Sequence, residues 1–178
     1  AASDVYKRQK EIRRTLRLRE GTPLEIFTDR EGEIILKKYS PMVELAAFAV
    51  QYAEAMAQST GLMVCITDRD QVIAVAGGPK KDYLQKPVSR QLENAITERM
   101  TITAVKEDKN FITLVSEEPE GTTAQVIVPI ICEGDAIGAV AILGREPRTK
   151  FGDMEVKLAS TAAGFLGRQM DCLLYTSD

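Results

Sequence analysis

Thr123-Ala124-Gln125-Val126-Ile127-Val128-Pro129-Ile130-Ile131 and Ala136-Ile137-Gly138-Ala139-Val140-Ala141-Ile142-Leu143-Gly144, joined by Cys132-Glu133-Gly134-Asp135, decide the fold of this chain. Each run is nearly continuous in apolar, largely β-branched residues, and the connection between them is polar and contains Gly. Such runs read as strands, and such a connection reads as a tight reversal. A strand with no polar face must be covered on both sides. The pair is therefore expected at the centre of a sheet with a layer on each face. Gly138 interrupts the second run, and a missing side chain there lets backbone or helix approach closely.

Outward from this pair, Asp153 to about Met170 reads as a helix. One apolar stripe holds Leu158, Ala162 and Phe165, and another holds Val156, Ala159, Ala163, Leu166 and Met170. A helix apolar on two sides is buried by two surfaces, and one of them can be a second subunit. On the N-terminal side, Leu62–Asp68 and Val72–Ala76 flank a polar Asp-Arg-Asp-Gln turn and read as a hairpin, closed by Gly77-Gly78-Pro79. A helix from about Ser89 to Met100 is expected to bury Leu92, Ile96 and Met100. Weak strands are expected at 102–105 and 112–115, with an acidic loop at 117–123. Further back, Ser40-Pro41 is a helix-opening pair, and Leu45, Phe48, Ala49, Tyr52, Ala53 and Met56 follow at helical spacing up to Ser59-Thr60-Gly61.

The head of the chain has a different character. Leu24–Phe27 and Glu33–Lys37 are short alternating runs around Asp29-Arg30-Glu31-Gly32, which is a hairpin signal. An isolated hairpin is barely stable and needs a partner. Before it, Lys10 to Gly21 reads as a turn or two of helix, with Ile12 and Leu16 on one side and Arg13, Arg14 and Arg17 elsewhere. Ten of the 23 Lys/Arg but seven of the 26 Asp/Glu fall in residues 1–39, a local charge of +3 against −6 for the remainder. A basic head on an acidic body points to an anionic partner for the head.

Composition excludes several classes. With 44% hydrophobic and 28% charged residues the chain can build a core, so disorder is not expected. It contains no histidine, which removes Ser-His-Asp and Cys-His mechanisms and His-ligated metals. Cys65, Cys132 and Cys172 form no C-x-x-C pair, so neither a disulfide framework nor a zinc site is expected. No apolar stretch is long enough to span a membrane and no secretory pattern opens the chain, so a cytoplasmic protein is expected.

Three further features have bland readings beside functional ones. Asp68 and Asp70 could be an acid/base pair, but in a hairpin turn Asp more often bonds its own backbone. Gly77-Gly78-Pro79-Lys80-Lys81 lacks phosphate-loop spacing and reads as a plain turn. Cys65 and Cys132 could be sensor thiols, but each lies in or beside an apolar strand without neighbouring cations and reads as inert core.

Residues 10–40, with the paired arginines before Thr15-Leu16 and the closing Ile35-Leu36-Lys37-Lys38-Tyr39, resemble the C-terminal part of the AbrB-type swapped-hairpin DNA-binding domain. Residues 61 to about 150, above all Val126–Leu143, resemble a GAF domain. Together they resemble the stage V sporulation protein T-like transcription regulators. The resemblance implies an α+β chain: a partial swapped-hairpin β domain, a linker helix at 41–60, and a GAF domain at 61–171 whose antiparallel sheet is flanked by helices. Residues 1–9 and 172–178 fit neither pattern and read as foreign tails, the first standing where the family has the opening half of its hairpin domain.

The resemblance also implies a non-enzymatic, cytoplasmic regulator of sporulation genes, activator or repressor. Its partners would be double-stranded DNA, further copies of itself in a dimer of dimers, and an unidentified small-molecule GAF ligand, with no cofactor. Arg13 and Arg14 match the family's paired DNA-contacting arginines. Taken alone, an arginine pair is as well read as a solvated helix face. Two other functions stay open: a GAF sensor that binds no DNA, and a thiol-based GAF methionine-sulfoxide reductase.

Overall fold

The computed structural model describes residues 10–15, 18, 24–38 and 46–175, with side chains except at Lys38 and beyond Met170. The chain divides into two compact units, residues 1–41 and 42–178.

In the first unit residues 10–15 are helical, and the Leu18 N–H donates to the Arg13 carbonyl at 2.7 Å. Strands β1 (Leu24–Thr28) and β2 (Ile34–Lys38) pair antiparallel with Ile26 opposite Leu36 and Phe27 opposite Ile35. The turn is built as its residues dictate. Asp29 Oδ1 accepts from the N–H groups of Glu31 and Glu33, both at 2.9 Å, and Gly32 takes the left-handed conformation at φ +84°.

The second unit is a five-stranded antiparallel sheet in the order β4-β3-β7-β6-β5, formed by β3 (Met63–Asp68), β4 (Val72–Ala76), β5 (Ile102–Val105), β6 (Ala124–Cys132) and β7 (Asp135–Gly144). The apolar runs of residues 123–131 and 136–144 are β6 and β7, and β7 is the central strand. Alternation along the strands sorts their side chains into two cores. Val64 and Ile66 of β3, Val126, Val128, Ile130 and Cys132 of β6, and Val140 and Ile142 of β7 pack against α1 (Ala46–Thr60) and α4 (Asp153–Tyr175). On the other face, Met63, Cys65, Ile127, Ala139, Ala141 and Leu143 pack under α2 (Lys80–Tyr83), α3 (Arg90–Thr97) and residues 111–115. Gly138 pairs with both Asp68 and Ile130, and a Cβ there would collide with the Thr67 carbonyl, so the close approach expected of it is present. Gly167 does the same for α4, whose backbone passes close to the Ile131 carbonyl.

Three local expectations differ from the structure, and one short helix was not expected. The helix expected to reach Met100 ends at Thr97, after which Arg99 turns left-handed at φ +55° and Met100 is 45% exposed, not buried. Ser89 is its N-cap and accepts from the Leu92 N–H at 3.0 Å. Residues 112–115 are not a strand; apart from one bridge between Val88 and Val115, side chains replace the ladder. Helix α2 was unforeseen, because four residues are too few to show a period. Helix α4 continues past Met170 to Tyr175. The Ser40-Pro41 cap and Leu45 lie outside the described residues.

Candidate functional site

Arg13 and Arg14 sit side by side on the helical segment 10–15, and both are exposed. Consecutive helical residues diverge by about 100°, so the two guanidinium groups leave the helix in different directions. Each carries a planar fork of donors suited to phosphate oxygens or to a guanine edge. Arg17 and Arg19 lie outside the described residues. On the hairpin, the Lys37 ammonium stands 5.5 Å from the centroid of the Phe27 ring, a cation–π contact that fixes one more positive charge.

The hairpin is apolar on both faces. Ile26 and Ile34 are 68% and 70% exposed, and Leu24, Phe27, Ile35 and Leu36 are exposed as well. The Ile26–Leu36 pair points to one side and the Phe27–Ile35 pair to the other. A two-stranded ribbon with this much open apolar surface on both sides is built to be covered.

In the second unit the buried face of α4 draws on both stripes. Ala159, Ala162, Ala163, Leu166 and Met170 are buried on the sheet. Phe165, in contrast, is partly exposed and stacks on Tyr52 of α1, with centroids 5.0 Å apart and planes 24° apart. Phe48, one turn before Tyr52, is exposed too, as is Met154. Met56 and Leu166 therefore serve the chain's own core, while Phe48, Tyr52 and Phe165 mark an outward apolar seam.

The remaining candidates take structural roles. Asp68 is buried, and its Oδ1 accepts from the N–H groups of Asp70 and Gln71 at 2.7 and 2.8 Å, so it closes the β3–β4 turn. Gly77 is left-handed at φ +72°, and a Cβ there would lie 2.5 Å from the Leu62 carbonyl oxygen, which makes the Gly-Gly-Pro stretch a packed turn. Cys65 and Cys132 are buried on opposite faces of the sheet and cannot pair within one chain. Burial, reinforced by the nearby Glu118 charge, pushes the Cys65 thiol up, so the thiolate is suppressed. No group of three His, Cys, Asp or Glu among the described residues could hold a metal ion.

Sequence reasoning missed a polar cluster on the Cys65 face. Glu118 Oε1 accepts from the Tyr83 hydroxyl at 3.2 Å and Oε2 from the Leu114 N–H at 2.9 Å. Burial raises the Glu118 pKa, and the two hydrogen bonds oppose the rise. Burial likewise pushes the Tyr83 phenol up to about 12, the Thr122 hydroxyl opposing it and Glu118 adding to it. No spacing in the sequence announces this cluster, because its members come from α2 and from a loop 35 residues away.

Residues 44–171 match the family described as Stage V sporulation protein T C-terminal, transcription factor. The chain belongs to the stage V sporulation protein T family. Of its relatives there, Stage V sporulation protein T of Bacillus subtilis is 49% identical over 162 residues, covering 91% of this chain and 89% of that one. Residues 10–43 separately match the family described as antidote-toxin recognition MazE, bacterial antitoxin.

Solved structures place the second unit of this stage V sporulation protein T relative in the GAF fold. The PixJ GAF domain of Thermosynechococcus elongatus superposes with a TM-score of 0.57 at 14% identity, covering 79% of this chain and 95% of that one. The type II free methionine-R-sulfoxide reductase of Thermoplasma acidophilum reaches 0.53 at 15% identity, covering 71% and 94%. At such identities the likeness concerns the fold alone. The expected architecture, an α+β chain whose antiparallel GAF sheet is flanked by helices, is the one observed. No helix of the described residues is long and apolar enough to cross a membrane.

Proposed function

We propose that this chain is a cytoplasmic, non-enzymatic transcription regulator of sporulation genes that binds double-stranded DNA through its N-terminal unit. Residues 10–40 are the DNA-binding element, with Arg13 and Arg14 as the contacting pair. Residues 41–60 are the linker, helical over Ala46–Thr60 among the described residues, and residues 61–171 form a GAF domain that adds subunit contacts and responds to a small molecule. The assembly is a dimer of dimers. One observation carries the reading: the 49% identity to Stage V sporulation protein T runs through 91% of the chain, too long a stretch for either unit to account for alone. The exposed arginine pair supports the DNA contact, and the apolar hairpin and the Phe48–Tyr52–Phe165 seam support self-association.

Cys65 and Cys132, separated by the sheet and each buried, speak against a thiol reductase despite the shared fold. The test is selection from a random-sequence duplex pool by the purified protein with a family-like opening half of the hairpin domain grafted in place of residues 1–9, with free methionine sulfoxide turnover assayed in parallel. Enrichment of one sequence family without turnover is the expected result. Turnover, or a pool that stays random after repeated rounds, would reject the proposal.

A further inference from the structure

Residues 111–118 cross the Cys65 face of the sheet without belonging to it. Their backbone is held by the side chains of Gln125, Gln91 and Ser89 and of the segment's own Glu118, and by two backbone hydrogen bonds to residues 87–89, from the Ser89 N–H to the Leu114 carbonyl at 2.8 Å and from the Ser116 N–H to the Pro87 carbonyl at 3.3 Å. The Gln125 amide clasps Ile112 twice, accepting from its N–H at 2.9 Å and donating to its carbonyl at 2.8 Å. Gln91 accepts from the Thr113 N–H at 3.1 Å, and the Ser89 hydroxyl donates to the Thr113 carbonyl at 2.5 Å. Glu118 closes the segment on itself through Leu114 N–H and ties it to Tyr83. Leu114 and Val115 are the buried anchors beneath, beside Cys65 and Tyr83 in the same core.

Contacts of this kind differ from a strand ladder in how they fail. A ladder bond shares its strand with neighbours above and below, whereas each side-chain bond here is lost with its one side chain, and the backbone pairing is confined to the single Val88–Val115 bridge. Segments held this way open below the cost of global unfolding. On the opposite face Cys132 lies under α4, whose packing involves none of these residues.

We propose that residues 111–118 form a releasable strap, latched by Glu118 to Tyr83, whose opening uncovers the Cys65 face while the sheet and its other face stay intact. The two buried thiols provide the readout, since maleimide reacts with whichever one is uncovered.

The experiment is timed maleimide alkylation of the full chain under native conditions, quantified separately at each cysteine by peptide mass spectrometry. It compares the wild type with Glu118→Ala and Tyr83→Phe. Loss of the Glu118 acceptor is expected to speed Cys65 modification about tenfold, the scale of one hydrogen bond to a charged group, with Cys132 unchanged. Tyr83→Phe should give a smaller rise. Acceleration of both cysteines in step would mean global opening and would overturn the strap, as would an unchanged Cys65 rate. In the wild type, amide exchange supplies an independent check that needs no variant. The N–H groups of Ile112, Thr113 and Leu114 should exchange as one group, faster than those of Val140 and Ile142. Equal protection across all five would equally overturn the proposal.

Discussion

The α1–α4 seam offers the sharpest contrast, because adjacent residues of one helix are assigned opposite roles. Leu166 is fully buried against the sheet, among Ala159, Ala162 and Ala163. Alanine neighbours have no flexible ends to fill a gap, so Leu166→Ala should cost about 3–5 kcal/mol, the upper part of the usual range for such truncations. Phe165, 36% exposed, retains about two-thirds of its burial within the chain. Its truncation in a lone subunit loses about 1–2 kcal/mol of transfer energy, plus about 1 kcal/mol from the Tyr52 stack. If Phe48 and Phe165 also pack on a second copy, charge at both positions should split the assembly. The expected result is that Phe48→Glu/Phe165→Glu lowers the light-scattering mass while urea denaturation still shows a cooperative transition. Leu166→Ala should do the reverse, moving the urea midpoint strongly and leaving the mass of the folded protein unchanged. A double Glu variant that keeps the wild-type mass would remove this seam from the interface and with it the reason given for its exposure.

Three further outcomes are expected. In a version with a family-like opening half in place of residues 1–9, Arg13→Ala and Arg14→Ala should each weaken duplex DNA binding in fluorescence anisotropy; a phosphate contact would also reduce the slope of log affinity against log salt by about one, and unchanged affinity in both variants would exclude the pair from the interface. Gly138→Ala should destabilise the second unit by about 1–3 kcal/mol or more in chemical denaturation, because its Cβ meets backbone carbonyl instead of a movable side chain; a neutral result would mean that the β3–β7 approach is softer than it looks.

Glu118 makes a pH-dependent prediction. Its pKa is raised in the folded chain, so the folded state holds this proton more tightly than the unfolded one does. Its contribution is therefore fully present below the unfolded carboxylate pKa and is lost as pH rises through the folded value. Glu118→Gln should gain stability relative to wild type over that rise, and a stability difference that does not change with pH would contradict the assigned cause.

Much of this was legible from the sequence. The hairpin of residues 24–38, the β3–β4 hairpin and the β6–β7 pair each follow from local alternation or from apolar runs bounded by turn residues, and local patterns are what a sequence displays. The arginine pair could be picked out because its neighbours match a family, although the pattern itself allows a solvated face equally well. Illegible were the features whose partners lie far along the chain. Residues 112–115 carry strand-like residues, yet Gln125 and Gln91 satisfy the backbone of Ile112 and Thr113 from elsewhere and no ladder forms. Met100 keeps helical spacing with Ile96, but the helix ends first and leaves it exposed. Which residues of the two α4 stripes turn inward was equally undecided, since both stripes are apolar and only the position of the sheet separates Leu166 and Ala162 from Phe165. The sequence by itself determined where strands and helices lie and which family they belong to, because those depend on neighbours along the chain. The tertiary structure alone decided which thiol faces which core, which aromatic residues remain outside, and that Glu118 meets Tyr83, because those depend on distances that folding creates.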